Sequence, residues 1–372
     1  MITIREVTTK KDINKFFAFP LELYKDNPYF VPALTLDEKG TFNKDKNPAY
    51  KHADTIMFLA EKEGKVVGRV AGLINHKINE FQKLNDVRFT RYDVIDDPEV
   101  SKLLIDKVIE WGQHKGMTRL IGPMGFSDLD KQGLLIEGFD QMSTFITLYN
   151  HAYYLDHLSA LGFEKEVDWV EFKIMVPKEM DPRIERITKI AMKRNGYEMK
   201  TFTKKKDAIP YARRALYMYN EAFSKIYGFY PQTDEQIEAL IKEFIMIVTV
   251  DYLFVVTDKE DEVLGFGLMV PSLAKAVQKS KGRLFPTGLL RIKSALKNHK
   301  VLDMYLIAVK PEYIGRGVNA LILNAGIKKA MENGIEYAET GPELEENMAV
   351  QTQWRDFKTE QHIRRRCLRK DI

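Results

Sequence analysis

Leu306 to Val309 read as a β-branched strand, followed by Pro311, then Gly315 and Gly317 one residue apart, then an apolar helix. Glycines at that spacing let the backbone turn with its N–H groups facing one point. The helix beginning near Val318 adds the positive end of its dipole. A diphosphate suits that arrangement. Val318, Leu321, Ile322 and Ala325 keep the i, i+3, i+4, i+7 spacing of a helix, and Gly334 supplies a stop.

The elements that would position this loop occur twice. Residues 57–74 and 253–270 both read as hairpins, each with an apolar strand, a charged turn and a second strand with an early glycine. Asp97-Pro98-Glu99 precedes one amphipathic helix and Lys310-Pro311-Glu312 the other. Each helix leads through a glycine, Gly116 or Gly334, into a short strand ending at Gly122-Pro123 or Gly341-Pro342. The chain therefore reads as a tandem α/β repeat: a first copy over 1–178, a charged connector helix over 179–196 and a second copy over 197–372. Pro311 to Leu321 is ten residues, but Pro98 to Leu103 is only five. The missing residues include both glycines, so the anion loop is expected in the second copy alone.

With 372 residues, 45% hydrophobic and 11% aromatic, the chain can fill several cores. The single cysteine, Cys367, excludes an internal disulfide and a cysteine-cluster zinc site, and no metal centre is expected. Met1 to Val7 show no basic-then-apolar leader pattern. The longest apolar stretch, Leu240 to Val256, is broken by Lys242, Glu243 and Asp251. A cytoplasmic location is the expectation. A net charge of +4 argues against nucleic acid as a partner. Charge is uneven, however: Val263 to Leu302 contain no Asp or Glu but carry Lys275, Lys279, Lys281, Arg283, Arg291, Lys293, Lys297 and Lys300. Within this insertion, 271–300, Leu284, Phe285, Leu289, Leu290, Ile292 and Leu296 interleave with the basic residues. It reads either as a basic amphipathic helix peripheral to the inner membrane face or as a helix packed on the protein with a solvated basic side.

On these motifs the second copy resembles the GNAT superfamily of acyl-CoA N-acyltransferases. It matches that family's acyl-CoA motif at Val309, Pro311, Glu312, Tyr313, Gly315, Arg316, Gly317, Val318 and Leu321. It departs at Ile314, where Arg or Gln is usual, and at Asn319, where Gly or Ala is usual. The family's second motif, an Asn followed by Gly-Phe, is matched by Asn150, Gly162 and Phe163, and loosely by Asn347 with Phe357-Lys358. The resemblance implies two GNAT-like domains in tandem, each a mixed, mostly antiparallel sheet flanked by helices, an α/β (α+β) fold. It implies acetyl-CoA or another acyl-CoA as co-substrate. The contacts would be Ile307, Ala308 and Val309 on a splayed strand, Ile314, Gly315, Arg316, Gly317, Val318 and Asn319 in the loop, and Asn347.

Acyl transfer from a thioester to an amine needs a neutral amine, a donor for the developing oxyanion and a route for the thiolate. Strict alternation over 301–309 would put Asp303, Tyr305 and Val309 on one face. Some histone-type members carry a catalytic glutamate where Asp303 stands, which makes Asp303 the expected base. Its alternative is a carboxylate at an exposed strand start. Glu339, Glu343 and Glu345 are the reserve, with a solvated acidic loop as their alternative. The tyrosine that serves many members as acid is replaced by Trp354, which has no titratable proton. His157 holds that place in the first copy and reads as a packed helix residue, so either the thiolate leaves without help or Tyr305 serves. Gly122 to Asp140, with Tyr149 and Tyr153 beyond, reads as a long glycine-rich loop. It forms either an acceptor-site wall offering Asp128, Glu137, Tyr149 or Tyr153, or a domain-interface loop. Arg364-Arg365-Arg366 reads as an exposed final strand or as a phosphate contact.

The expected function is an N-acyltransferase that moves an acetyl or longer acyl group to a small-molecule, lipid-like or peptide amine held between the two domains. Two other readings remain at this stage. One is a non-catalytic acyl-CoA-binding or interaction protein, and the other is a membrane-surface N-acyltransferase with a lipid-like substrate. An aminoacyl-tRNA donor is disfavoured by the small net charge.

Overall fold

The computed structural model describes residues 1–372. The first copy opens with β1 (Ile2–Glu6), α1 (Lys10–Leu23) and α2 (Thr35–Thr41), followed by the hairpin β2 (Ala53–Lys62) and β3 (Lys65–Asn75). Then come α3 (His76–Gln82), β4 (Asp86–Val94), α4 (Pro98–His114), β5 (Arg119–Gly122), β6 (Leu134–Glu137), α5 (Tyr153–Ala160) and β7 (Glu164–Met175). The connector is α6 (Pro182–Asn195). The second copy begins with β8 (Glu198–Lys200), α7 (Lys205–Ala222), α8 (Asp234–Ile247) and the hairpin β9 (Leu253–Thr257) and β10 (Val263–Pro271). The insertion folds as α9 (Ala274–Lys279) and α10 (Gly288–Lys297). It leads into β11 (Val301–Val309), α11 (Val318–Glu332), β12 (Tyr337–Thr340), β13 (Glu343–Leu344), α12 (Met348–Gln351) and β14 (Thr359–Asp371).

All the strands join one sheet, in the order β1-β2-β3-β4-β5-β14-β7-β12-β11-β10-β9-β8, with β6 on β14 and β13 on β7. The centre of that order is the unexpected part. β7 ends the first copy but pairs with β12 of the second, while β14 ends the second copy and pairs with β5 of the first. The copies have exchanged their last strands. The sequence boundaries at 178 and 197 therefore do not mark two separate bodies in space.

Helices cover both faces. In the first copy, Val100, Leu104 and Val108 of α4 pack on Val70, Val87 and Phe89. In the second, Leu321 and Ile322 of α11 meet Phe254, Leu264 and Met269 on one face. Met218 and Tyr219 of α7 meet Val255 and Phe266 on the other. Burial of these side chains supplies the main driving force.

The arginine run is neither an exposed final strand nor free for a phosphate. Because β14 lies mid-sheet, Arg365 is fully buried and pairs with the equally buried Glu171 of β7. Arg364 and Arg366 both reach Asp168. Asn150 is likewise structural, since its amide clamps both backbone groups of Leu135.

Candidate active site

β11 pairs with β10 over most of its length but with β12 only from Val301 to Met304. The N–H of Gly341 then donates to Met304 O at 3.1 Å, and beyond it β13 pairs with β7. Tyr305 to Val309 are left with one free edge. Lys310 N–H donates to Leu264 O on the β10 side. Antiparallel alternation therefore turns the N–H and C=O groups of Ile307 and Val309 into the gap, while Ala308 is paired with Phe266.

A β-bulge shapes the same place. Leu306 and Met304 oppose the adjacent residues Leu268 and Met269, so Tyr305 is the extra residue. The bulge resets the alternation. Leu302, Met304, Ile307 and Val309 pack on the α11 side, and Tyr305, Leu306 and Ala308 on the α7 side. Asp303 and Tyr305 do share a face, as expected, but Val309 lies on the opposite one.

The glycine loop ends at the N-terminus of α11. Gly315 has φ +76° and Gly317 φ +92°, a region that favours glycine. Gly317 is the N-cap, and no side chain caps the first turn. The N–H groups of Gly317, Val318, Asn319 and Ala320 therefore have no intrahelical partner. Ile314 is exposed, Arg316 lies over the Tyr313 ring at 5.6 Å, and Asn319 donates to Gln353 at 3.2 Å.

The first copy shows the opposite arrangement at both positions. The Asp97 carboxylate accepts from Glu99 N–H at 3.1 Å and so caps α4. In the opening beside β4, Tyr154 Oη accepts from Val94 N–H at 2.9 Å and Tyr153 Oη donates to Val94 O at 2.7 Å. A carboxylate occupies one anion site and two phenols occupy one strand edge.

These features give a sharp test of the loop. A Cβ at Gly315 would meet no atom within 4 Å, and Asp tolerates a left-handed backbone better than most residues. Gly315→Asp should fold while placing a carboxylate before the uncapped N-terminus. Calorimetric titration with CoA should show affinity reduced roughly tenfold or more, with less loss at high salt. Unchanged affinity would remove the loop as an anion site.

A cavity of about 330 Å³ spans both faces of the sheet through the gap, and 29 of its 42 lining residues are hydrophobic. On the α11 side it is bounded by Ile322, Leu323, Gly326 and Ile327. On the other side lie Tyr219, Phe223, Phe244, Ile247 and Tyr305. Ile307 and Asn347 line it too. So does Asp128 of the first-copy loop, so that this loop does form a wall of the cavity. The loop's other expected contacts lie elsewhere. Glu137 sits at the sheet surface near Arg364, and Tyr149 is packed against Tyr24 with its hydroxyl on Phe139 O. Tyr153 is the phenol already placed beside β4.

The carboxyl groups near the cavity differ in chemistry. Asp303 is buried beside Tyr305, and neither of its oxygens has a partner. Burial, reinforced by Glu339 and Glu171, pushes it up to about 8. Ser272 pulls the other way without a well-formed hydrogen bond. A carboxyl raised that far is mostly protonated at neutral pH, so Asp303 is better suited to giving a proton there and to taking one only as pH rises toward that value. The Tyr305 hydroxyl is also unpartnered, and burial and Asp303 raise its pKa.

Glu343 lines the cavity and is raised to about 7 by burial, with one oxygen accepting from Trp354 Nε1 at 2.9 Å. Glu339, opposite Asp303 on β12, is raised to about 7 by burial and Glu171. Glu345 is engaged by Lys165 and Arg364, which hold it below the usual carboxylate range. Asp128, bonded to Tyr219, is raised by burial to about 6. His157 bonds Ser101 and Asp96 on a packed helix face.

Sequence reasoning missed Glu243. It lies on α8 beside Phe244, lines the cavity and is exposed overall, and partial desolvation, with Asp37 and Asp130, raises its pKa. Its only sequence signal is that it interrupts the apolar run from Leu240.

Two sheet halves, a strand gap and an uncapped glycine loop together define a tandem GNAT fold. The chain aligns over 100% of its length with a tandem GNAT protein from the clavulanic acid biosynthesis pathway, covering 98% of that chain at TM-score 0.58 and 11% identity. It also aligns with a GCN5-related N-acetyltransferase from Sphaerobacter thermophilus, covering 95% of that chain at TM-score 0.53 and 13% identity. No protein-family model matches the chain. By sequence it is 25% identical over 386 residues to Protein YghO of Escherichia coli K12, covering 99% of this chain and 95% of that one. It is 24% identical over 367 residues to a bacterial ceramide synthase of Caulobacter vibrioides, covering 94% of this chain and 92% of that one.

Proposed function

We propose that the protein is an acyl-CoA-dependent N-acyltransferase whose acceptor is a long-chain amine. The observation that carries this reading is the apolar cavity crossing the sheet at the gap. Its walls come from both faces of the sheet, and Ile307 lines it with a free backbone edge. On the α11 side, the uncapped helix N-terminus and that edge suit the diphosphate and the amide chain of an acyl-CoA. On the α7 side, carboxylates near the cavity suit an ammonium, and the mostly hydrophobic walls suit an alkyl chain. The relative named for ceramide, a lipid amide, agrees with this class of acceptor.

Two carboxyl groups, both raised by desolvation, carry the proton transfers. Glu243, on the cavity wall, takes a proton from the ammonium. The nitrogen then attacks the thioester carbon, the C–N bond forms and the C–S bond breaks. Asp303, still protonated at neutral pH, supports Tyr305 as the donor beside the gap, and one proton ends on sulfur. Glu243 passes the first proton to solvent, and the second proton lost by nitrogen returns to Tyr305 in place of the one given to sulfur, so that one proton is released overall. Asp128 with Tyr219 holds a polar group of the acceptor.

The test is release of free thiol from palmitoyl-CoA. Thiol should appear only when a long-chain amino alcohol is added, and faster than with acetyl-CoA. The rate should fall as pH rises through about 8, where Asp303 loses its proton, and Asp303→Asn should abolish that alkaline limb. If no acyl-CoA raises the melting temperature and none is consumed, the reading fails.

A further inference from the structure

The insertion between β10 and β11 leaves its largest apolar side chains in water. α10 buries Gly288 and Ile292 and half-buries Ala295 and Leu296, so Leu290 stands on the opposite side, 66% exposed. Phe285, in the turn leading into α10, is 71% exposed. Two neighbours extend the patch. Leu36 is 59% exposed and follows Thr35, whose N–H donates to Gly282 O at 2.9 Å. Met246 is 66% exposed and precedes Ile247, which packs under the insertion.

Within the insertion the charge has one sign, while Asp37, next to Leu36, and Glu243, one turn before Met246, are exposed acids on the neighbouring elements. Lys279, Lys281, Arg283, Arg291, Lys293 and Lys297 are all exposed, and no Asp or Glu occurs from 263 to 302. The patch also adjoins the cavity, because Phe145 and Ile247 line the cavity and belong to the cluster beneath α10.

We propose that the Phe285–Leu290 tip and its basic ring form a docking surface for an anionic lipid bilayer. The apolar tip enters the interfacial layer while lysine and arginine meet phosphate headgroups. Charge complementarity selects this occupant. A second copy of the same patch would set like charges against each other across a two-fold axis. A nucleic acid would satisfy the basic residues but leave Phe285 and Leu290 without an apolar partner. Docking there brings the cavity wall to the bilayer, where long-chain substrates reside.

Co-sedimentation tests this without acyl-CoA or turnover, so its result is independent of the acyltransferase reading. Vesicles of phosphatidylcholine with a quarter phosphatidylglycerol should bind the full chain, and phosphatidylcholine alone should bind it far less. Both Phe285→Ser/Leu290→Ser and Lys293→Glu/Lys297→Glu should weaken binding by about tenfold or more, at unchanged melting temperature. Sedimentation velocity run in parallel should show the same oligomeric state for the parent and the serine variant. The proposal is overturned if the parent does not bind anionic vesicles or if the variants bind as well as the parent. It is also overturned if the parent self-associates through Phe285 and Leu290.

Discussion

Glu243→Gln should lower the acylation rate by about a hundredfold or more at neutral pH while CoA affinity stays within a factor of about two. Glutamine keeps the shape of the side chain and cannot accept a proton. The donor side is spared because Glu243 is on α8, across the sheet from the glycine loop. The pH profile carries the sign. Partial desolvation and the neighbouring carboxylates Asp37 and Asp130 raise the Glu243 pKa above the ordinary glutamate value. Below that raised value the carboxyl is protonated, so parent activity should fall as pH falls through it, and the variant should lose this acid limb. A melting temperature lowered in step with the rate would instead mark Glu243 as structural. A rate within threefold of the parent would exclude it as the base.

Arg365→Ala should cost about 3–5 kcal/mol of stability, read as a lower urea midpoint. The loss comes from the partner more than from the arginine, because Glu171 is fully buried and would be left as an uncompensated charge. Arg365 also donates to Leu148 O, which ties β14 to the first-copy loop. Replacing both partners by apolar residues, as in Glu171→Leu/Arg365→Met, should recover most of the loss, since a buried pair is costly to break and cheap to replace. A cost below about 1 kcal/mol for the alanine variant would mean that water reaches Glu171.

The local parts of this architecture were readable from residue order. The doubled hairpins, the glycine loop and its absence after Pro98 all depend on spacing within a few dozen residues, and each is present as read. The long-range parts were not. β7 and β14 alternate as many strands do, and nothing in their residues says which edge each will join, so the exchange was invisible. The same cause misread the arginine run, because a terminal position in the chain suggested a terminal position in the sheet. The bulge at Tyr305 carries no glycine or proline to announce it, and strict alternation therefore put Val309 on the wrong face. Asp303 was found by its place in the strand, but its proton depends on Glu339 and Glu171 from two other strands.

The exchanged strands also bear on what can be lost. The glycine loop, the gap and Glu243 all belong to the second copy, while the first has plugged its own opening with Tyr153 and Tyr154. The copy without the loop would look dispensable if each half were complete. Yet β12, one side of the gap, is laid against β7 from the first copy, and β14 has left its own half to lie beside β5. A lineage carrying this chain could not trim it back to the half with the glycine loop, because the other half has become part of the candidate site's frame.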